Sequence, residues 1–197
     1  MMRQFLTYIF KSFGWSFKGS FEPRPKKFII IVAPHTSNWD FPLGIMVRSI
    51  AKIGNTKFLG KSQLFRFPYG FIFRALGGYP VERTKDNNLV DAVVDIFNSK
   101  DEFSISLAPE GTRSRVKRVK TGFYHIAKKA NVPIYLVGFD FKVRKIIIEK
   151  PFYPTEDIIK DFKYIIEFFS SIKGRHTELG VDMSLFDSFK KDIESEK

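Results

Sequence analysis

The chain contains no cysteine, which removes disulfides, thiolate nucleophiles and cysteine metal sites together. It also has no apolar run approaching the roughly 20 residues that a helix needs to span a bilayer. Its strongly apolar stretches, such as residues 28–34, are interrupted early. A signal peptide's continuous apolar region and small-residue cleavage site are missing too, so a non-spanning, cytoplasmic protein is expected. Histidine occurs only at positions 35, 125 and 176, without ligand spacing, so no metal site is expected. Acids are scarce: 21 Asp and Glu face 33 Lys and Arg, a net charge of +12. That imbalance favours polyanionic partners, among them nucleic acid, an anionic membrane face and an acidic carrier protein.

What is abundant is phenylalanine, at 23 residues against 7 Tyr and 2 Trp. With 44% hydrophobic residues over 197 positions, the chain suits one domain with a full core. Residues 1–20 read as an amphipathic helix, with Arg3, Thr7, Lys11 and Lys18 on one stripe and Phe5, Leu6, Ile9, Phe10, Phe13 and Phe17 opposite. Such a helix can lie on a membrane surface or pack on the domain's own core. From Lys26 onward, short β-branched runs alternate with helical patterns. Strands are expected at 27–33, 56–60, 103–108, 132–139 and 143–149. Helices are expected from Asn38 or Asp40 to about 53, and over 86–99, 121–130 and 157–171. This succession predicts an α/β fold, a single domain with a mostly parallel or mixed sheet flanked by helices, plus the N-terminal amphipathic helix. The expected division is a membrane-associating helix and linker at 1–25, a compact domain at 26–173 and a polar, loosely attached tail at 174–197.

Two constellations carry chemistry. Pro34-His35-Thr36-Ser37-Asn38-Trp39-Asp40 follows the first strong strand, where ligands of open α/β sheets usually bind. An Asp five residues after a His, in a first helical turn, can fold back to fix the imidazole tautomer and stabilise the imidazolium. A hydroxyl nucleophile needs such a base. Read alone, the pair is equally a loop histidine and a helix N-terminal acid favoured by the dipole. Ala108-Pro109-Glu110-Gly111-Thr112-Arg113-Ser114 follows another apolar strand. Here Gly111 permits a tight turn, Thr112 offers a hydroxyl and Arg113 a planar fork for phosphate or carboxylate. Glu110 can position an acceptor or hold Arg113.

His35-x-x-x-x-Asp40 followed by Glu110-Gly111-Thr112-Arg113 resembles the paired motifs of the glycerolipid acyltransferases, the 1-acyl-glycerol-3-phosphate acyltransferase family. Gly78-Tyr79-Pro80-Val81-Glu82-Arg83 resembles the family block ending in a phosphate-binding arginine, and Val132-Pro133-Ile134-Tyr135-Leu136-Val137 resembles the apolar block after the glutamate motif. All four stand in the family's order across residues 28–140. The resemblance implies acyl transfer from a thioester, acyl-CoA or acyl carrier protein, to a lysolipid hydroxyl, 1-acyl-glycerol-3-phosphate first among acceptors and another lysophospholipid or a lyso-aminolipid as the alternative. It implies His35 as base, Asp40 as its orienting partner, Arg83 and Arg113 as anion binders, and Glu110, Gly111 and Thr112 as shapers of the acceptor site. No cofactor beyond the acyl donor is implied.

Two more segments fit such a reaction. Residues 64–74 mix aromatic rings with arginines and suit membrane docking, an acyl-chain groove or plain core packing. The basic run 113–120 suits lipid phosphate, coenzyme A phosphates or an acidic carrier, and Lys120 joins the candidate site from it. A peripheral location on the cytoplasmic face of the membrane is expected. The competing classes are a nucleic-acid-binding protein and a non-catalytic membrane module. Basic charge with interleaved aromatics suits the first, but leaves His35-x-x-x-x-Asp40 and Glu110 unexplained, so no nucleic acid is expected as partner.

Overall fold

A computed structural model describes residues 2–81, 89–110 and 118–195. Seven strands form one sheet: β1 (Ser16–Lys18), β2 (Lys27–Ala33), β3 (Lys57–Lys61), β4 (Gly78–Val81), β5 (Phe103–Leu107), β6 (Ile134–Asp140) and β7 (Lys145–Ile148). Their order across the sheet is β1-β7-β6-β2-β5-β3-β4. Strands β2 to β6 run parallel, and β7 turns back antiparallel on β6 and receives β1 in parallel. The fold is therefore α/β with a mixed, mostly parallel sheet. Helices α1 (Met2–Ser12), α2 (Asp40–Ile50), α3 (Gly70–Ala75), α4 (Leu89–Asn98), α5 (Gly122–Ala130), α6 (Ile158–Ser170) and α7 (Ser184–Ser195) cover its faces.

Strand β2 shows why the layers form. Its run KFIIIVA is buried on both faces, as a central parallel strand must be. Alternate side chains divide between two cores: Ile29 and Ile31 join α4, α5 and α6, whereas Phe28 and Ile30 join Phe10 of α1 and Leu43 and Val47 of α2. β2 has β5 on one side and β6 on the other, so its carboxyl end opens at the middle of the sheet.

Two expectations need correction. The helix expected over 1–20 stops at Ser12, because Gly14 at φ 76° turns the backbone and Ser16 then donates its N–H to the Arg144 carbonyl at 3.1 Å. Phe17 and Lys18 thus belong to strand β1, and residues 1–25 contribute to the sheet itself. Phe10 is buried in the second core while Phe5, Tyr8 and Phe13 stand exposed, so α1 packs on the domain and still shows aromatic rings to solvent. The segment 174–197 is not a loose tail either. It carries α7, whose Leu185 and Phe189, one turn apart, are buried, while Phe186 and Ile193 are partly buried against the core. Phe189 stacks on Phe162 with ring centroids 4.2 Å apart. Among the described residues no helix is long and apolar enough to cross a membrane.

Residues 64–74 resolve into an anchor and a rim. Phe65 is buried, its ring against Phe73 and so close to Gly60 and Gly78 that a Cβ at either position would collide with it. Leu64, Phe67, Tyr69, Phe71 and Ile72 point outward.

Replacing Phe189 with Ala removes the stacked ring that seats α7. The expected cost is about 3–4 kcal/mol of unfolding free energy, read from the urea midpoint; a change below about 1 kcal/mol would return α7 to the status of a tail.

Candidate active site

The site begins where β2 ends. The loop Pro34–Trp39 leads into α2, whose first residue is Asp40. Trp39 occupies the cap position without a side-chain capping bond, so neither Asn38 nor Asp40 caps the helix. Freed from capping, the buried Asp40 carboxylate turns back into the loop. Its Oδ2 accepts the Ser37 N–H at 2.9 Å and lies 3.0 Å from Nδ1 of His35. His35 keeps 22% of its side chain exposed while Asp40 keeps 3%. The imidazole is therefore held from inside and accessible from outside. A carboxylate on Nδ1 fixes the proton there and leaves the other ring nitrogen to accept one.

Glu110 enters from the neighbouring strand. The register Ile31↔Leu107 between β2 and β5 brings the two carboxyl ends level. The His35 backbone N–H donates to Glu110 Oε2 at 2.9 Å across 75 residues of sequence. Burial pushes the Glu110 carboxyl well above its ordinary value, to about 7, against the opposing pull of the His35 N–H and imidazole. Asp40 Oδ1 and Glu110 Oε1 are buried with no hydrogen-bond partner among the described residues. Two carboxyl groups thus grip one short loop, each by a single oxygen.

His35 and Asp40 line a cavity of about 670 Å³, within the range of small-molecule sites. One wall is α2, through Phe41, Gly44, Val47 and Arg48; another is the sheet, through Ile30, Val32, Phe58, Val137 and Phe139. Strands β3 and β5 share only the pairs Lys57↔Ile105 and Phe58↔Ser106. Past them the cavity also reaches Phe123 and Ile126 of α5 on the sheet's other side. The lining is overwhelmingly apolar. Its cations are Lys57, Lys120 and Arg48, whose Nη1 donates to the Leu76 and Thr56 carbonyls at 2.7 and 3.3 Å. Burial lowers the pKa of that guanidinium.

Of the residues singled out from the sequence, the fold brings His35, Asp40, Glu110 and Lys120 together. Arg83, Gly111, Thr112 and Arg113 lie outside the described residues. Residues 64–74 are not among those that line this cavity. Gly44, Arg48 and Ser106 escaped sequence reasoning. The signal for Gly44 and Arg48 was their spacing of four from Asp40 along α2, which sets all three on one helix face. His176 is not part of the site, but its backbone N–H donates to Thr36 Oγ1 at 3.2 Å and so braces the loop that carries His35 from the C-terminal segment.

A base oriented by a carboxylate, opening on an apolar cavity, is equipped to activate a hydroxyl beside a hydrocarbon chain. Residues 17–140 match the family model described as Acyltransferase, well over half of the 197-residue chain. The chain belongs to the acyltransferase family. Among solved structures, the crystal structure of the 1-acyl-sn-glycerophosphate (LPA) acyltransferase PlsC from Thermotoga maritima is similar in fold, with a TM-score of 0.58 and 22% identity, covering 84% of this chain and 74% of that one. No curated protein matches the chain.

The Glu110 carboxyl supplies a pH test. The folded protein keeps its proton to about pH 7, whereas an ordinary carboxyl releases it near 4.5. Between those values the native state holds more protons, so stability falls as pH rises through the window. Glu110→Gln, which keeps an acceptor for the His35 N–H and cannot ionise, should gain on wild type by on the order of 2–3 kcal/mol between pH 4.5 and 7.5. Parallel urea curves for the two proteins would show the mechanism absent.

Proposed function

We propose that the protein transfers a fatty acyl group from a thioester donor, acyl-CoA or acyl carrier protein, to the free hydroxyl of a lysophospholipid, with 1-acyl-glycerol-3-phosphate the first candidate acceptor. The observation that carries this reading is the His35–Asp40 pair on the wall of the apolar cavity. His35 takes the acceptor hydroxyl's proton as the oxygen attacks the thioester carbonyl, and Asp40 stabilises the imidazolium so formed. Collapse of the tetrahedral adduct expels the thiolate, to which the imidazolium returns the proton. No covalent enzyme intermediate is needed, consistent with a chain that has no cysteine.

The apolar cavity suits an acyl chain. Lys120 lines it, and Lys120 together with Arg83 and Arg113, the last two outside the described residues, are cations of the kind a phosphate monoester requires. The match of family supports acyl transfer, and PlsC's action on 1-acyl-sn-glycerophosphate favours the phosphate acceptor over other lysolipids. Such an acceptor resides in a bilayer, which supports a peripheral membrane location.

The decisive assay offers radiolabelled acyl-CoA or acyl carrier protein with a panel of lysolipids to wild type and His35→Ala. Label should enter one diacyl lipid with wild type and none with the variant, while Asp40→Asn should retain at most about one part in a hundred of the rate. Undiminished turnover by His35→Ala would end the base assignment.

The groove gives a second expectation. Gly44 faces open space: a Cβ added there would meet nothing nearer than the Phe139 ring, at 3.9 Å. Gly44→Leu should therefore fold well on α2 yet occupy the cavity, shifting preference from long to short acyl donors by about tenfold or more. An unaltered chain-length profile would place the acyl chain elsewhere.

A further inference from the structure

Between Asp40 and Glu82 the chain has no acidic residue, yet it carries six basic ones, Arg48, Lys52, Lys57, Lys61, Arg66 and Arg74. Within this stretch, the turn after β3 and the short helix α3 expose Phe67 at 97%, Phe71 at 70% and Tyr69 at 66%. A soluble surface seldom gathers three such rings in five residues. The loop is built rather than slack. Phe65 is locked beneath it, the Gly70 N–H donates to the Arg66 carbonyl at 2.9 Å, and Arg74 donates to the Phe65 carbonyl at 3.0 Å while lying over the Phe65 ring. A rigid base thus holds the rings outward.

Their placement is equally specific. β3 runs parallel to β5 and, through it, to β2, so the turn leaving β3 emerges at the sheet edge that carries His35 and Glu110. Phe58, near the start of β3, lines the cavity and meets Phe41 of α2 edge-on at 5.7 Å. The exposed rings therefore stand at the same end of the sheet as His35, which lines the cavity.

We propose that this rim is the protein's bilayer contact: Phe67, Tyr69 and Phe71 enter the interfacial layer of an anionic membrane while Arg66 and Arg74 stay at phosphate level. Protruding rings suit a fluid, deformable partner, and an acid-free stretch of chain with Arg66 and Arg74 flanking the rings suits anionic lipid headgroups. Insertion here would turn the cavity mouth toward the leaflet, so that a lipid acceptor reaches His35 without crossing water. The choice of lipid as partner rests on the proposed function, but docking needs no acyl donor, so vesicle binding and turnover fail separately.

The absence of cysteine makes the test clean. Phe67→Cys takes a single environment-sensitive nitrobenzoxadiazole label, and Tyr8→Cys takes the same label on the exposed side of α1. With vesicles of phosphatidylglycerol and phosphatidylcholine, the label at 67 should shift to the blue and brighten several-fold, and less so on pure phosphatidylcholine. The Phe67→Ser/Phe71→Ser double variant should bind the anionic vesicles at least about tenfold more weakly while keeping its rate on detergent-dispersed substrate. A shift at position 8 with none at 67 would hand the contact to α1. Double-variant binding equal to wild type would overturn the proposal, as would a lipid-free shift at 67 that rises with protein concentration, the mark of a second copy on the rim.

Discussion

Everything in the site hangs on the Asp40 carboxylate turning backward. Helix α2 opens without a side-chain cap, and its first acid serves the preceding loop instead, tying the Ser37 N–H and the His35 ring to one oxygen. An ionised group that is 4% exposed is costly unless charge and hydrogen bonds compensate it. The helix N-terminus and the imidazole provide that compensation at the position where a base is wanted. Loop shape, ring orientation and burial are thus one constraint.

Glu110 closes the same loop from the other side, through a backbone bond rather than a side-chain one. The contact exists because β2 and β5 are neighbours in parallel register, and it has no local cause. Burial of the Glu110 carboxyl outweighs the opposing pull of the His35 N–H and imidazole and moves its proton equilibrium toward neutrality. Thr36 is then fixed from a third direction by His176, so the loop that carries His35 joins three distant parts of the chain.

Local patterns in the sequence carried the central elements. Strand β2 has the expected bounds, β5, β6, α5 and α6 fall within two residues of theirs, and the five-residue interval from His35 to Asp40 foretold the bond between them. What was not legible depends on partners. β1 is three residues long and exists only because β7 offers an edge. α7 sets Leu185, Phe186, Phe189 and Ile193 in a segment whose remaining residues are all polar or charged, and the helix reading of residues 1–20 ran through Gly14 because periodicity is blind to a single backbone reversal. Glu110 was legible as a site residue, but its bond to the His35 backbone spans 75 positions and needed the register.

The double duty of α2 has a consequence for how such a protein can diverge. The helix that presents Asp40 at its first residue also walls the groove through Gly44, Val47 and Arg48. A substitution there that tilts or displaces the helix moves Asp40 with it. The opposite wall includes Leu59 of β3 and Leu89 and Val90 of α4, none of them on α2. Substitutions on that side reshape the groove while α2 keeps its place.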